Sequence, residues 1–151
     1  MTDNITGWAE SVETLACVSR KHPQSAYVGL QKSLQQEWAF MQRVTPGIGD
    51  AFGLVEKALR ENFVLSLFEG LGDSVPERGV TCLPVKQAVL DLPDPTQTDP
   101  ANWTASCVII LHLVAALRGQ VDFRTADLQE GGMAVRRRGQ QRAEDSLAET
   151  L

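Results

Sequence analysis

Tyr27, Leu30, Leu34, Trp38 and Met41 recur at steps of three, four, four and three residues. That period lays five apolar side chains along one face of an α-helix and fits no strand. The stripe predicts a helix from about Gln24 to Arg43, with a glutamine-rich opposite face of Gln31, Gln35, Gln36 and Gln42. Upstream, Trp8, Val12 and Leu15 share a second helical face, with Glu10 and Glu13 early and Arg20 and Lys21 late, the order a helix dipole favours. His22-Pro23 breaks that segment, because proline disfavours a helical residue before it.

Thr45-Pro46-Gly47-Ile48-Gly49 reads as a turn, with Thr45 or Asp50 available to cap a third helix. From Asp50 to Phe68 two stripes run together, Phe52-Val55-Leu59-Phe63-Leu67 and Ala51-Leu54-Ala58-Leu65. The charges Glu56, Lys57, Arg60 and Glu61 are left one narrow exposed face, with Glu56 four residues before Arg60, the favourable order for a pair. Burial over most of its circumference makes this helix the expected centre of the core.

Beyond Gly70 the pattern changes. Val80-Thr81-Cys82-Leu83 and Val89-Leu90-Asp91-Leu92 are short, apolar or β-branched and flanked by prolines, which predicts two edge-like extended segments or strands. Pro93 to Pro100 reads as non-helical, with Asp99 as N-cap and Pro100 at the first position of a helix carrying Trp103, Cys107, Ile110, Val114 and Leu117. Gly119 ends it. A chain of 151 residues argues for one domain. The expected fold is mainly α, a bundle of about four to five helices with a short extended or β pair. Residues 1–130 are the expected body, and residues 131–151 a frayed, arginine-containing C-terminal helix or tail.

Hydrophobic residues at 43% and charged residues at 22% exclude wholesale disorder. Fourteen basic against nineteen acidic side chains give a net charge of −5, which argues against a nucleic-acid binder held mainly by bulk charge. Cys17, Cys82 and Cys107 are odd in number and unpaired in spacing, so no disulfide framework is expected. The opening residues MTDNITGWAES lack the basic and apolar runs of a secretory signal, which points to an intracellular protein. No charge occurs between Asp99 and Arg118, but the strongly apolar part spans only Cys107–Leu117. A membrane span needs about 20 apolar residues, so a buried core helix is expected there and no membrane partner.

Cys17…His22 and Cys107…His112 share a spacing, but on a helix it sets the two side chains about 140° apart, which suits no zinc pair. Asp91, Asp94 and Asp99 beside prolines are turn and cap chemistry rather than an acid–base or Mg²⁺ pair. Gly47-Ile48-Gly49 and Gly70-Leu71-Gly72 lack the rest of a dinucleotide or phosphate loop. No catalytic residue, metal, cofactor or small-molecule substrate is expected. Arg136-Arg137-Arg138, with Arg142, is the one basic run; it suits phosphate contact or a solvated helix face, with Glu144, Asp145 and Glu149 close behind.

Several strings occur together in order: Trp8 with Val12-Glu13-Thr14-Leu15-Ala16, His22-Pro23-Gln24-Ser25-Ala26-Tyr27, Leu34-Gln35-Gln36-Glu37-Trp38-Ala39-Phe40 and Arg43-Val44-Thr45-Pro46. Leu83-Pro84-Val85-Lys86-Gln87-Ala88, Pro93-Asp94-Pro95 and Trp103-Thr104-Ala105-Ser106 follow. The series resembles the region just downstream of the polymerase palm in retrotransposon (non-LTR-like) reverse transcriptase polyproteins, over about Gly7 to Arg124. The resemblance implies a thumb-like helical segment that supports a template–primer duplex. The family's Mg²⁺-binding Asp-Asp motif lies upstream, and this chain has no adjacent Asp-Asp pair. What is implied is therefore a non-catalytic fragment, not an enzyme, whose partners are an RNA–DNA or RNA duplex, held weakly, and the palm of a reverse transcriptase. Duplex contact is expected through Arg43, Lys86, Arg136, Arg137 and Arg138. Two places depart from the family pattern: Val89 and Asp91 stand in a stretch where it keeps a glycine, and Ile110-Leu111 where it keeps small residues. The alternative is a self-standing helical module that binds a protein through its glutamine-rich face or an exposed stripe.

Overall fold

The structure, a computed structural model, describes residues 2–69, 78–82, 90–122, 124–126, 129–135, 137–138 and 141. Among these the chain is mainly helical, with six helices and no strand. Helix α1 is Thr2–Ser19. Helix α2 covers residues 23–44 without interruption, with a π-helical turn at Leu30–Leu34. Helix α3 covers residues 49–67, opening on a 3₁₀ turn at Gly49–Phe52 and holding a second π turn at Leu59–Phe63. Helix α4 is the single turn Arg78–Thr81, α5 is Pro95–Leu117, and α6 spans residues 129–135.

The core lies where α1, α2 and α3 meet. Ile5, Trp8, Val12 and Ala16 of α1 pack against Ala26, Leu30 and Trp38 of α2 and Phe52, Val55, Leu59 and Phe63 of α3. Trp8 stacks on Phe52 with ring centroids 5.9 Å apart and planes 7° from parallel. Its indole Nε1 donates to Glu37 Oε2 at 2.9 Å, joining α1 to α2. Pro23 opens α2 at a position where no helical N–H is required, so the chain reverses at His22-Pro23 as the sequence predicts.

Four expectations need correction. Gln42, assigned to a polar outer face, is fully buried, because α5 brings polar partners to it. Ala51, Leu54 and Leu65 of α3 are exposed, since α1 and α5 cover only one side of that helix. Glu56 is half-buried and bonds Arg78, while Arg60 lies 3.4 Å from Glu61. The extended pair is replaced by other structure: Val80 and Thr81 belong to α4, and Leu90–Leu92 runs beside it without forming a strand, joined by one backbone bond from Leu92 N to Thr81 O of 3.0 Å. Leu83 and Val89 lie outside the described residues.

The start of α5 is a fifth correction. Asp-Pro occurs twice, five residues apart, and the first copy caps the helix: Asp94 Oδ1 accepts from Thr96 N at 2.8 Å and from Thr96 Oγ1 at 2.6 Å, with Pro95 following. Pro100 then sits inside the helix and offers no N–H to the Thr96 carbonyl four residues back. Gly49 fits closely against that turn; a Cβ on it would stand 2.8 Å from Thr96 O and 3.3 Å from Asp99 Cβ. Gly119, at φ +68°, ends the helix as expected. The apolar half of α5 is not a buried core helix: Ile110, Leu111, Val114 and Leu117 are exposed.

Candidate functional site

Among the described residues the densest polar construction is built around residues 90–95, a strap that leads into α5. The Leu92 side chain is buried in the core, so the strap's carbonyls face protein groups rather than water. Three side chains from two elements take them up, Tyr27 and Gln42 from α2 and Arg78 from α4. Tyr27 Oη donates to Leu90 O at 2.5 Å and accepts from Gln31 Nε2 at 3.0 Å. Arg78 donates to Leu92 O at 2.5 Å and to Pro93 O at 3.5 Å. Gln42 Nε2 donates to Pro95 O at 2.6 Å, while its Oε1 accepts from Asn102 Nδ2 at 2.7 Å and Thr98 Oγ1 at 3.1 Å. Asp91, at φ +50°, lets the chain bend between the first two anchors, a backbone state aspartate tolerates better than most residues.

Arg78 is also the base of a clamp. Its Nε and Nη2 meet Glu56 Oε1 and Oε2, both at 2.8 Å, a two-pronged pair that ties α4 to α3. Its Nη1 also reaches Thr81 Oγ1 at 3.0 Å and Cys82 Sγ at 3.1 Å. Burial pushes the Glu56 carboxyl above its ordinary value, and the Arg78 bond draws it only part of the way back. For Arg78 the balance is reversed: burial opposes its charge, but Glu56 and Cys82 raise its affinity for the proton above the usual value. The difference follows from the weaker hydration of a guanidinium, which loses less than a carboxylate on leaving water. We take the pair as charged at neutral pH.

The other shifts share one cause. Burial raises the Tyr27 phenol, helped by the charge of Asp91, and burial alone raises Asp91. Burial also raises the Cys82 thiol, against the pull of Arg78, which keeps it protonated and poorly nucleophilic. The strap is therefore an anchor of backbone by side chain, with Tyr27, Arg78 and Gln42 each donating to its carbonyls.

Three of the five basic residues expected to contact a duplex lie among the described residues. Arg43 is half-buried on the last turn of α2; Arg137 and Arg138 are exposed in the helical stretch after α6; Lys86 and Arg136 lie outside the described residues. Cys17 is exposed, and Cys82 and Cys107 are half-buried, all as free thiols. Among the described residues no three His, Cys, Asp or Glu side chains converge as metal ligands. Two shallow grooves of about 250 and 540 Å³ follow the α1–α3 contact and are rimmed by Glu10, Glu13, Lys57, Arg20, Glu61 and Glu69. By length and composition alone, α5 is apolar enough to cross a membrane, with a mean hydropathy of 1.5.

Of the anchoring residues, Asp94 and Tyr27 carried a sequence signal, the first as Asp-Pro chemistry and the second as a member of the α2 stripe. Gln42 and Arg78 carried none, because their partners are main-chain carbonyls more than ten residues away. Comparison with protein-family models, curated proteins and solved structures finds no match.

Proposed function

We propose that the chain is the thumb-like helical region that follows the polymerase palm of a retroelement reverse transcriptase, a non-catalytic body acting inside the cell. One observation supports this reading most: residues in or beside the strings that carry the resemblance make bonds across long sequence distances. Trp8 of the first string bonds Glu37 of the third. Tyr27 of the second bonds Leu90, and Gln42, between the Trp38 and Arg43 strings, bonds Pro95.

On this reading the chain packs against a palm and touches duplex backbone weakly, through its exposed arginines. The duplex contact is electrostatic and falls steeply with salt. Fluorescence anisotropy with an RNA–DNA hybrid tests it: dissociation constants in the range of about 10⁻⁴ to 10⁻⁶ M at physiological salt are expected. Replacing Arg136, Arg137 and Arg138 with glutamine should remove most binding and flatten the salt slope. Absence of binding, or submicromolar binding indifferent to salt and to the triple change, contradicts it. The alternative, a self-standing helical interaction module, is favoured by the exposed apolar face of α5.

A further inference from the structure

Helix α5 carries two apolar stripes on opposite sides. Ala105, Ile109, His112 and Ala116 are buried or half-buried and form the side turned to the body. Cys107, Ile110, Val114 and Leu117 follow one another at steps of three, four and three, about 150° round the helix from the first stripe. Ile110 is 55% exposed, Leu111 68% and Leu117 82%. The side turned to the body has the same alternation, so the outer stripe has the period by which one helix packs on another. We propose that this outer stripe is a seam that pairs with the same seam of a second copy of the chain, as an antiparallel two-fold contact.

Charge favours an identical partner. Between Pro100 and Leu117 there is no charged side chain, and the positions flanking the seam, Ser106, Leu111 and Leu113, are neutral. Flanking charges are what make such seams reject copies of themselves or select a different helix. The first charge beyond them is Arg118. In an antiparallel pair centred near His112, each Arg118 falls beside position 106 of the other copy, so like charges do not meet. The acids that give the chain its net charge of −5 include Glu10, Glu13, Glu61 and Glu69, which rim the α1–α3 grooves instead.

The area fits a weak, reversible pair. Ile110, Val114 and Leu117 with the flanking Leu111 and Leu113 expose at most on the order of 500 Å² of apolar surface, the upper part of the range for the largest patch on a monomer. Two copies would cover at most about 1,000 Å², the floor for a specific interface. A bilayer suits the helix less well. Its first half is held to α2 through Gln42, with Asp99 buried beside Gly49. The eleven residues Cys107–Leu117 left over reach only about 16 Å against a hydrocarbon thickness of about 30 Å.

Sedimentation velocity on the full chain, from about 5 to 200 µM, tests the proposal, with a monomer–dimer equilibrium in the tens of micromolar expected. Leu117→Glu places a carboxylate on the seam at a side chain that makes little contact within its own chain, and should weaken pairing at least about tenfold. Val28→Glu, on the exposed side of α2, should leave pairing unchanged. So should the triple arginine-to-glutamine change, which separates this inference from any nucleic-acid contact. A single monomeric species at the highest concentration overturns the proposal. So does a dimer that Leu117→Glu does not weaken. A monomer that co-sediments with phosphatidylcholine vesicles through the same seam overturns it in favour of a membrane surface.

Discussion

The two halves of α5 belong to one helix and are treated oppositely by the fold. Residues 95–106 carry Thr96, Thr98, Asp99 and Asn102, a polar list, yet Pro95, Asp99 and Ala105 are buried there and Gln42 reaches in to bond Pro95, Thr98 and Asn102. Residues 107–117 are almost wholly apolar and stay largely exposed. Polarity in the first half is met mainly by Gln42 of α2, which bonds Pro95, Thr98 and Asn102, whereas Asp99 Oδ1 is buried with no hydrogen-bond partner among the described residues. In the second half only one side is half-buried, and Gly131 and Gly132 of α6 pass close to Val108 and Ile109, while the outer stripe stays exposed among the described residues. Burial thus follows from which neighbours reach a segment, and hydropathy says only what a neighbour would gain.

The sharpest way to break the comparison is to disturb the body on which the polar half rests. Trp38 lies in the core, and Trp38→Ala is expected to cost about 3–5 kcal/mol in urea unfolding. Gln42→Ala should come next, at about 2–3 kcal/mol, since it strands Pro95 O, Thr98 and Asn102 together. A cost below about 0.5 kcal/mol for Gln42→Ala would mean water replaces it and the polar half is not locked. Gly49→Ala forces a methyl against the Thr96 carbonyl and should cost about 1–3 kcal/mol by displacing the start of α5 from α3.

Much of this architecture was legible. The α1 and α2 stripes, the break at His22-Pro23 and the stop at Gly119 all follow from periodicity and local backbone chemistry, which act within a few residues. What was illegible depends on distant partners. Asp94-Pro95 and Asp99-Pro100 carry the same local signal, and only the approach of Gly49 and Gln42 decides that the first starts the helix. Glu56 looked like a surface partner of Arg60 because Arg78, 22 residues away, has no sequence mark. Val80-Thr81 and Leu90–Leu92 do meet, but side chains occupy the carbonyls that a ladder would need.

The Arg78–Glu56 clamp gives a smaller effect with a defined sign. The folded Glu56 carboxyl titrates above its ordinary 4.5, so the folded state holds the proton more tightly than the unfolded chain. Its contribution to stability is complete below that ordinary value and is lost as pH rises through the raised one. The stability difference between wild type and Glu56→Gln should therefore shift in favour of the variant between pH 4.5 and pH 7. Urea melts at the two pH values measure it; a shift toward wild type would mean Arg78 outweighs burial. The smallest effect belongs to the apolar half, where Leu111→Ala should change monomer stability by less than about 0.5 kcal/mol.

Hydrogen–deuterium exchange on the full chain, read separately for residues 95–106 and 107–117, tests the contrast most directly. At low protein concentration the first half should be protected and the second should exchange much faster, because local opening there breaks few tertiary contacts. At high concentration the second half alone should gain protection, as the exposed seams pair. Equal protection of both halves at low concentration, or a concentration effect confined to residues 95–106, would contradict the account.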